Sequence, residues 1–166
     1  MSESRRRFCS AMILAGALLG PASARAGERQ SGVVRVRSAY PVAETVARIK
    51  RDLAAKGILF FAEIDQARLA AEAGVALRPS TLLLFGNPPL GAQFLTSDPD
   101  SGLDWPVRLL VRQDEAGTVW AVHTDFVWIA RRHGITDRDT QFRTAASVIA
   151  SVRLTEACLR WCPRSA

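Results

Sequence analysis

The sequence is poor in the residues on which most catalytic and metal sites depend. Its 166 residues include only two histidines and three cysteines, and one cysteine, Cys9, lies near the N-terminus. The chain has no G-x-S-x-G nucleophile motif, no H-E-x-x-H motif, no glycine-rich phosphate loop and no Cys-His signature. Zinc and iron centres usually need several such ligands. These absences argue against a hydrolase and against a metalloenzyme.

A large charge excess is also missing from most of the chain. The net charge is +6, but residues 1–26 hold four arginines and one glutamate, so half of the excess belongs to that segment. In the remainder, acidic and basic residues alternate, as at Glu44 and Arg48, and no basic stripe carries interleaved aromatic residues. Nucleic acid is therefore not an expected partner. With 48% apolar and 23% charged residues, the composition is that of one globular domain.

Residues 1–26 have the pattern of an export signal. Arg5-Arg6-Arg7 precedes an apolar stretch from Phe8 to Leu19, and Ala24-Arg25-Ala26 has the form of a cleavage site, with the cut after Ala26. The stretch is about a dozen residues long, and a membrane span needs about 20. The pattern predicts a bacterial protein that is periplasmic or secreted, without a membrane span after signal removal. The alternative is a buried N-terminal helix.

The first residues favour one export route. Ser4-Arg5-Arg6-Arg7-Phe8 resembles the twin-arginine motif, and the apolar stretch that follows is only mildly hydrophobic. Arg25 lies close to the cut, where a basic residue hinders the general secretory route. We therefore expect twin-arginine export, with general secretion as the alternative. Cys9 lacks the small residues that precede a lipidated cysteine.

Hydrophobic periodicity in the rest of the chain predicts an α+β domain. The predicted elements are a strand at 33–37, a helix between Pro41 and Gly57, a strand at 58–64, a helical turn at 67–73, a strand at 81–85, a hard turn at 86–89, a hairpin of 107–112 and 119–124, a short helix at 126–133 and a longer C-terminal helix from Thr136. This order predicts a compact single domain with a β-α-β start, a central hairpin and a mostly antiparallel sheet packed by helices on one face.

The C-terminal helix has two predicted features. Thr136-x-x-Asp139 approximates a capping box at its start. Its core stripe is formed by residues at helical spacing, namely Phe142, Ala145, Ile149 and Val152. We therefore expect this helix to begin at Thr136 and to pack on the sheet.

Four segments of the predicted domain match a known set of motifs. They are Arg78-Pro79-Ser80-Thr81-Leu82-Leu83-Leu84-Phe85-Gly86-Asn87-Pro88, Phe61–Asp65, Leu103-Asp104-Trp105-Pro106, and 119–134. Together they resemble the DUF302 family, a domain of unknown function. The resemblance covers roughly residues 33–135 and implies a compact α+β sandwich that forms a homodimer, without a catalytic mechanism. Gln66 stands where the family usually has His, and His123 stands where a Tyr is common.

The chain is accordingly divided into three parts. Residues 1–26 are the signal peptide, 27–135 the DUF302-like domain, and 136–166 a helical extension with a cysteine pair. Polar residues at strand ends and turns form the candidate ligand site, and these are Asp65, Arg78, Asn87, Asp104, His123 and Asp125. The alternative is turn and cap chemistry, with His123 a satisfied buried imidazole and His133 a cap at a helix C-terminus.

Signal removal leaves Cys158 and Cys162, an even pair in an oxidising compartment. On a continued last helix they lie four residues apart on an outer face, with Cα atoms about 6 Å apart. An intrachain disulfide is predicted, the alternatives being a bridge to another chain or free thiols. The C-x-x-x-C-P spacing also resembles copper-delivery proteins, and two thiolates suit Cu(I).

Three functions follow from these observations. The favoured one is an exported, non-catalytic domain that binds or senses a small molecule, with no cofactor required by the sequence. The first alternative is a redox or copper-handling protein that uses Cys158 and Cys162. The second is an enzyme with carboxylate acid/base chemistry at Asp65, Asp104 and Asp125, which needs two of them close together in a cleft.

Overall fold

A computed structural model describes residues 31–152 and Leu154. Five strands form one antiparallel sheet in the order β1-β5-β4-β3-β2, and they are β1 (Val33–Ser38), β2 (Leu59–Asp65), β3 (Ser80–Gly86), β4 (Val107–Gln113) and β5 (Val119–Thr124). The α-helices of the described part are α1 (Val42–Ala55), α2 (Gln66–Glu72), α3 (Pro88–Ser97), α4 (Phe126–Arg132) and α5 (Asp139–Ala150), with a 3-10 helix at Pro99–Leu103. The predicted α+β class, with its β-α-β start, central hairpin and C-terminal helix, is confirmed.

The inner face of the sheet forms the core because its strands alternate in burial. In β4, Val107, Leu109 and Val111 are buried, whereas Arg108 between them is exposed. Helix α1 covers the β2-β3-β4 part of this face with an apolar stripe that includes the fully buried Ile49. Side chains of α3, α4 and α5 join the same cluster, so the helices pack on one face, as the sequence predicted.

The outer face of the sheet carries a row of apolar side chains. Leu82, Leu110 and Val122 are paired across β3, β4 and β5, and all three are half-buried. Arg35 on the edge strand β1 continues this row. Helix α2 buries no residue, and the other α-helices bury their side chains in the inner core. Within the described residues, no helix therefore buries side chains against this outer row.

Helix α5 begins later than predicted, so the Thr136 capping box is wrong. Its first residue is Asp139, and the preceding residue, Arg138, makes no side-chain cap. The segment before the helix is bound to α3 instead. The Ser97 hydroxyl donates to the Asp137 carboxylate (2.6 Å), and Arg138 Nε donates to the Gln93 carbonyl oxygen (3.1 Å). These contacts hold residues 137 and 138 outside the helix.

The core stripe of α5 is confirmed in its helical part. Phe142, Ala145 and Ile149 are buried, and Val152 follows the end of the helix and is half-buried. The helix ends at Ala150, and Leu154 lies outside it with its side chain in the core. Helix α5 is thus an integral part of the domain.

Helix α3 starts where the sequence predicted only a hard turn. Asn87 is its N-cap and accepts a hydrogen bond from the backbone N–H of Leu90 (3.2 Å). Pro88 and Pro89 occupy the first two helical positions, where a missing N–H costs no hydrogen bond. The same residues that interrupt a strand therefore begin a helix here.

Several predictions fall on residues outside the described part of the chain. These include the export signal at residues 1–26, the disulfide or Cu(I) site at Cys158 and Cys162, and Cys9. They stay predictions. None of the helices in the described ranges is both long and apolar enough to cross a membrane.

Candidate functional site

The six candidate ligand residues are divided between two ends of the sheet. Because neighbouring strands run antiparallel, the end of β2 lies beside the start of β3, so Asp65 and the segment that carries Arg78 belong to the same end of the sheet. The opposite end joins the end of β3 with the start of β4 and the end of β5. Asn87, Asp104, His123 and Asp125 belong to that second end. The sequence therefore grouped residues that the topology separates.

Three of these side chains cap helices. Asp65 Oδ1 accepts from the backbone N–H of Arg68 (3.0 Å) at the start of α2, and Asn87 caps α3 in the same way. Asp125 Oδ1 accepts from the N–H groups of Val127 (2.7 Å) and Trp128 (3.3 Å) at the start of α4. An Asp or Asn cap stabilises a helix by about 1 kcal/mol. This cap chemistry is the alternative that the sequence left open.

Arg78 lies on a separate surface. It lines an open depression of about 690 Å³ formed by the 76–80 segment and the β4–β5 turn. This depression is at the Asp65 end of the sheet. None of the other five candidate residues lines it.

An apolar cavity of about 570 Å³ lies between the inner face of β1 and β5 and the helices α4 and α5. We call it the apolar cavity, and its lining residues are Val34, Val36, Leu109, Ala121, His123, Asp125, Phe126, Val127, Ala130, Asp139, Phe142, Arg143, Ala146, Ile149, Ala150, Val152 and Leu154. Only four of these have charged or titratable side chains. Of the six candidate residues, His123 and Asp125 are the two that the structure brings into this cavity.

The cavity exists because the edge strand β1 is incompletely covered. Val36 pairs with the buried Ala121 and faces the same side of the sheet, yet 40% of Val36 is exposed. Val127 at the start of α4 is 56% exposed and also lines the cavity. Apolar side chains that line a concave space are typical of small-molecule sites.

His123 lies on the inner face with Val119 and Ala121, because alternate residues of β5 share a face. Its Nδ1 is 2.9 Å from the carbonyl oxygen of Thr124, and its ring packs against Phe126 with centroids 6.1 Å apart. Burial lowers the pKa of His123 below 6.5, although the Thr124 carbonyl and the Asp125 carboxylate act in the opposite direction. The imidazole is therefore neutral at neutral pH. Since a carbonyl only accepts, Nδ1 carries the proton and Nε2 is a hydrogen-bond acceptor.

This protonation state predicts a pH dependence of stability. The unfolded chain binds a proton at His123 more readily than the folded chain does. The free energy of unfolding therefore decreases as the pH falls through about 6.5. In urea unfolding between pH 8 and pH 5.5, the stability of the wild type relative to His123→Phe should fall as the pH is lowered. Groups that titrate in both proteins contribute equally to the two free energies of unfolding, so their contributions cancel in the difference. A difference that rises or stays constant on acidification would contradict the neutral imidazole.

The buried Asp104 carboxylate is the centre of a group of charged and titratable side chains that the sequence did not predict. We call it the Asp104 cluster, and its members are Asp98, Asp104, Arg108, Arg132 and His133. Asp104 accepts from Arg108 Nη2 (2.8 Å) and Arg132 Nη1 (3.0 Å), and its Oδ2 is 2.8 Å from His133 Nε2. His133 Nδ1 also lies 3.2 Å from Asp98 Oδ2. Both ring nitrogens thus face carboxylates, and His133 links α4 to the segment before β4.

The sequence signal for this cluster was incomplete. Asp104 was singled out through its motif, and His133 was interpreted as a cap at a helix C-terminus, which matches its place directly after α4. Its ring, however, is 5% exposed and bonded to residues about 30 positions away. Helix periodicity carries no information on such a long-range partner.

The three carboxylates singled out for acid/base chemistry do not all converge on one place. Asp65 is at the opposite end of the sheet from Asp104 and Asp125. The Asp104 carboxylate is held by two guanidinium groups and an imidazole, and Asp125 caps α4. Among the described residues, no group of three or more His, Cys, Asp and Glu side chains could hold a metal ion.

A family model and a solved structure point to the same family. The model described as "Domain of unknown function DUF302" matches residues 34–152, which includes α5. The crystal structure of an uncharacterized conserved DUF302 protein from Bacillus stearothermophilus has a TM-score of 0.66, with 18% sequence identity, and the match covers 73% of this chain and 94% of that one. This likeness shows that the two proteins share the fold.

Two curated relatives are named fluoride-specific ion channels. FluC 1 of Brucella suis biovar 1 and FluC 1 of Brucella abortus biovar 1 are each 36% identical over an alignment of 131 residues, and the match covers 74% of this chain. The match covers 52% of the first relative and 48% of the second. The chain therefore spans about half the length of these relatives.

Proposed function

This chain belongs to the DUF302 family, which is described as a domain of unknown function, and from that premise we propose that it is a non-catalytic domain that binds or senses a small, largely apolar molecule. The proposed site is the apolar cavity between β1, β5, α4 and α5. His123 and Asp125, two residues singled out in the sequence, lie in its wall. The size and lining of this cavity carry the proposal.

The dimensions and chemistry of the cavity support a ligand site. Its volume of about 570 Å³ is within the range of small-molecule sites, about 300–1,000 Å³. Val36 and Val127 expose apolar surface that a ligand would cover. Burial of apolar surface contributes about 25 cal/mol per Å². Binding would therefore be driven mainly by the contacts of an apolar ligand with these walls.

Filling the cavity should block binding. N-Phenyl-1-naphthylamine, an apolar fluorescent probe, is expected to bind the wild type with increased emission. Ala146 is exposed on α5 and lines the cavity, so Ala146→Trp adds a large side chain there without disturbing the buried core. We expect at least about a tenfold loss of affinity, since a blocked pocket forfeits most apolar contacts.

The neighbouring position supplies the control. Ser147 is exposed on the same helix and does not line the cavity, so Ser147→Trp should bind the probe like the wild type. Equal affinity of the wild type and both variants would show that the probe binds elsewhere. That outcome would remove the apolar cavity as the site.

Export and self-association belong to the same proposal. The predicted signal peptide at residues 1–26 supports a periplasmic or secreted protein, and N-terminal sequencing of protein from the periplasm should begin at Gly27.

The outer sheet face, with Leu82, Leu110 and Val122 in one row, is a suitable surface for the homodimer that the family resemblance implies. Light scattering of the purified protein should then give twice the mass of the chain, and a monomer mass would remove the dimer.

The named relatives favour a second candidate function, in fluoride handling. The observation is the 36% identity with part of proteins named as fluoride-specific ion channels. A strain that lacks this chain would then grow less well than its parent in fluoride, with equal growth in chloride. Equal growth of both strains in fluoride would eliminate this candidate.

A further inference from the structure

We infer that the apolar cavity selects an apolar molecule whose polar end is a hydrogen-bond donor, an amine or an alcohol, over one that ends in a carboxylate. This inference rests on the proposed function and specifies its ligand class. It follows from the acceptor atom of His123 and from the signs of the charges around the cavity.

The acceptor is the free nitrogen of His123. Its Nδ1 donates to the Thr124 carbonyl oxygen at 2.9 Å, which leaves Nε2 with a lone pair. No residue in the described part of the chain bonds to Nε2. Because His123 lines the cavity, this nitrogen is available to a ligand. A hydroxyl or an ammonium group can donate to it, whereas a carboxylate can only accept and would face a second acceptor.

The charges of the lining act in the same direction. Asp125 and Asp139 contribute two carboxylates, and Arg143 contributes one guanidinium group. Asp125 is half-buried, and its Oδ1 is bonded to the α4 backbone. Arg143 is exposed and donates through Nη2 to the Thr140 hydroxyl (3.1 Å). With His123 neutral, the lining has a net charge of −1, which favours a cationic or neutral group over an anion.

The rest of the cavity is suited to a hydrocarbon. Val34 and Val36 of β1, Leu109 and Ala121 of the inner face, and Phe142 and Ile149 of α5 form its walls. None of these side chains has a polar atom. A ligand with one polar end can thus place that end at His123 and its apolar part between β1 and α5.

Three ligands with the same chain length test this selectivity. Decylamine, decan-1-ol and decanoate are titrated at pH 7.5 against N-phenyl-1-naphthylamine bound to the wild type and to His123→Phe, after direct titration of the probe into each protein. In the wild type, the amine and the alcohol should bind about tenfold more tightly than decanoate. In His123→Phe, the advantage of the alcohol over decanoate should fall about fivefold, because the phenyl ring fills a similar space but has no acceptor nitrogen. The differences in hydration of the head groups cancel between the two proteins.

A measurement on the wild type alone covers the case in which His123→Phe does not fold. In nitrogen NMR, decan-1-ol should shift the resonance of the His123 Nε2, whereas decanoate should not. The selectivity is overturned if decanoate binds the wild type as tightly as decan-1-ol does. It is also overturned if His123→Phe keeps the full advantage of the alcohol and decan-1-ol leaves the Nε2 resonance of the wild type unshifted. The proposed function fails separately, when Ala146→Trp leaves probe binding unchanged.

Discussion

Replacing Asp104 with alanine is expected to destabilise the domain by about 2 kcal/mol, because a buried hydrogen-bonding side chain is left without its partner. The Asp104 side chain is 4% exposed, and it binds Arg108, Arg132 and His133. The two arginine side chains are 47% and 42% exposed and can return to water when the carboxylate is removed. The His133 ring stays buried and loses the partner of Nε2. This loss accounts for most of the expected cost.

Urea unfolding of Asp104→Ala and of Asp100→Ala gives the comparison. Asp100 is an exposed carboxylate in the adjacent 3-10 helix, so its removal should change the free energy of unfolding by less than about 0.5 kcal/mol. The double variant Asp104→Ala/His133→Leu should lose less free energy of unfolding than the sum of the losses of the two single variants, because the two residues are directly bonded. An Asp104→Ala loss below about 1 kcal/mol, or strict additivity, would show that the bond between Asp104 and His133 contributes little to stability.

Replacing Gly91 with alanine is expected to destabilise the protein by about 2 kcal/mol, although alanine is the better helix former. A Cβ atom at Gly91 would lie 1.7 Å from Nε1 and 2.2 Å from Cε2 of Trp105. Trp105 packs against Phe94 (centroids 5.4 Å apart), and Phe94 packs against Phe142 (4.4 Å). The displaced indole would therefore press on the core beneath α3. A gain of at most about 1 kcal/mol in helix propensity cannot offset this clash.

Two further variants separate the clash from other effects of the added methyl group. A Cβ atom at Gly102 would meet only Leu95 Cδ2, at 3.2 Å, so Gly102→Ala should be nearly neutral. The double variant Gly91→Ala/Trp105→Leu should lose less stability than the sum of the losses of the two single variants. The smaller leucine side chain leaves room for the added Cβ atom. A Gly91→Ala protein as stable as the wild type would show that Trp105 moves without cost.

The Gly91 variant also connects the core to the ligand site. Phe142 contacts Phe94 on one side and lines the apolar cavity on the other. Displacement of Phe94 is therefore expected to alter the cavity wall at α5.

Residues in regular patterns were predictable from the sequence, and this includes most of the fold. The hairpin pattern at 107–112 and 119–124 identified β4 and β5, and the helical pattern between Pro41 and Gly57 identified α1. Helix α3 was missed because its first turn contains Asn87, Pro88 and Pro89, which also form turns. The start of α5 was misplaced because Asp137 and Arg138 bind α3, which is distant in sequence.

The site was less predictable because it depends on how separate elements are placed. Alternation along β5 is consistent with His123 on the inner face, but the same rule predicts that Val36 is covered. Val36 is 40% exposed, and periodicity within each element does not specify how closely the helices cover the edge strand. In the same way, Asp65 and Asp125 both follow strands, yet only the strand order shows that they lie at opposite ends of the sheet.

The most direct test of a ligand site in the apolar cavity is native mass spectrometry of the protein purified from its own cells without denaturation. The wild type and Ser147→Trp should retain the same small apolar molecule, and Ala146→Trp should carry none. Wild-type protein with the bare mass of the chain, or the same adduct on all three proteins, would show that the apolar cavity holds no ligand.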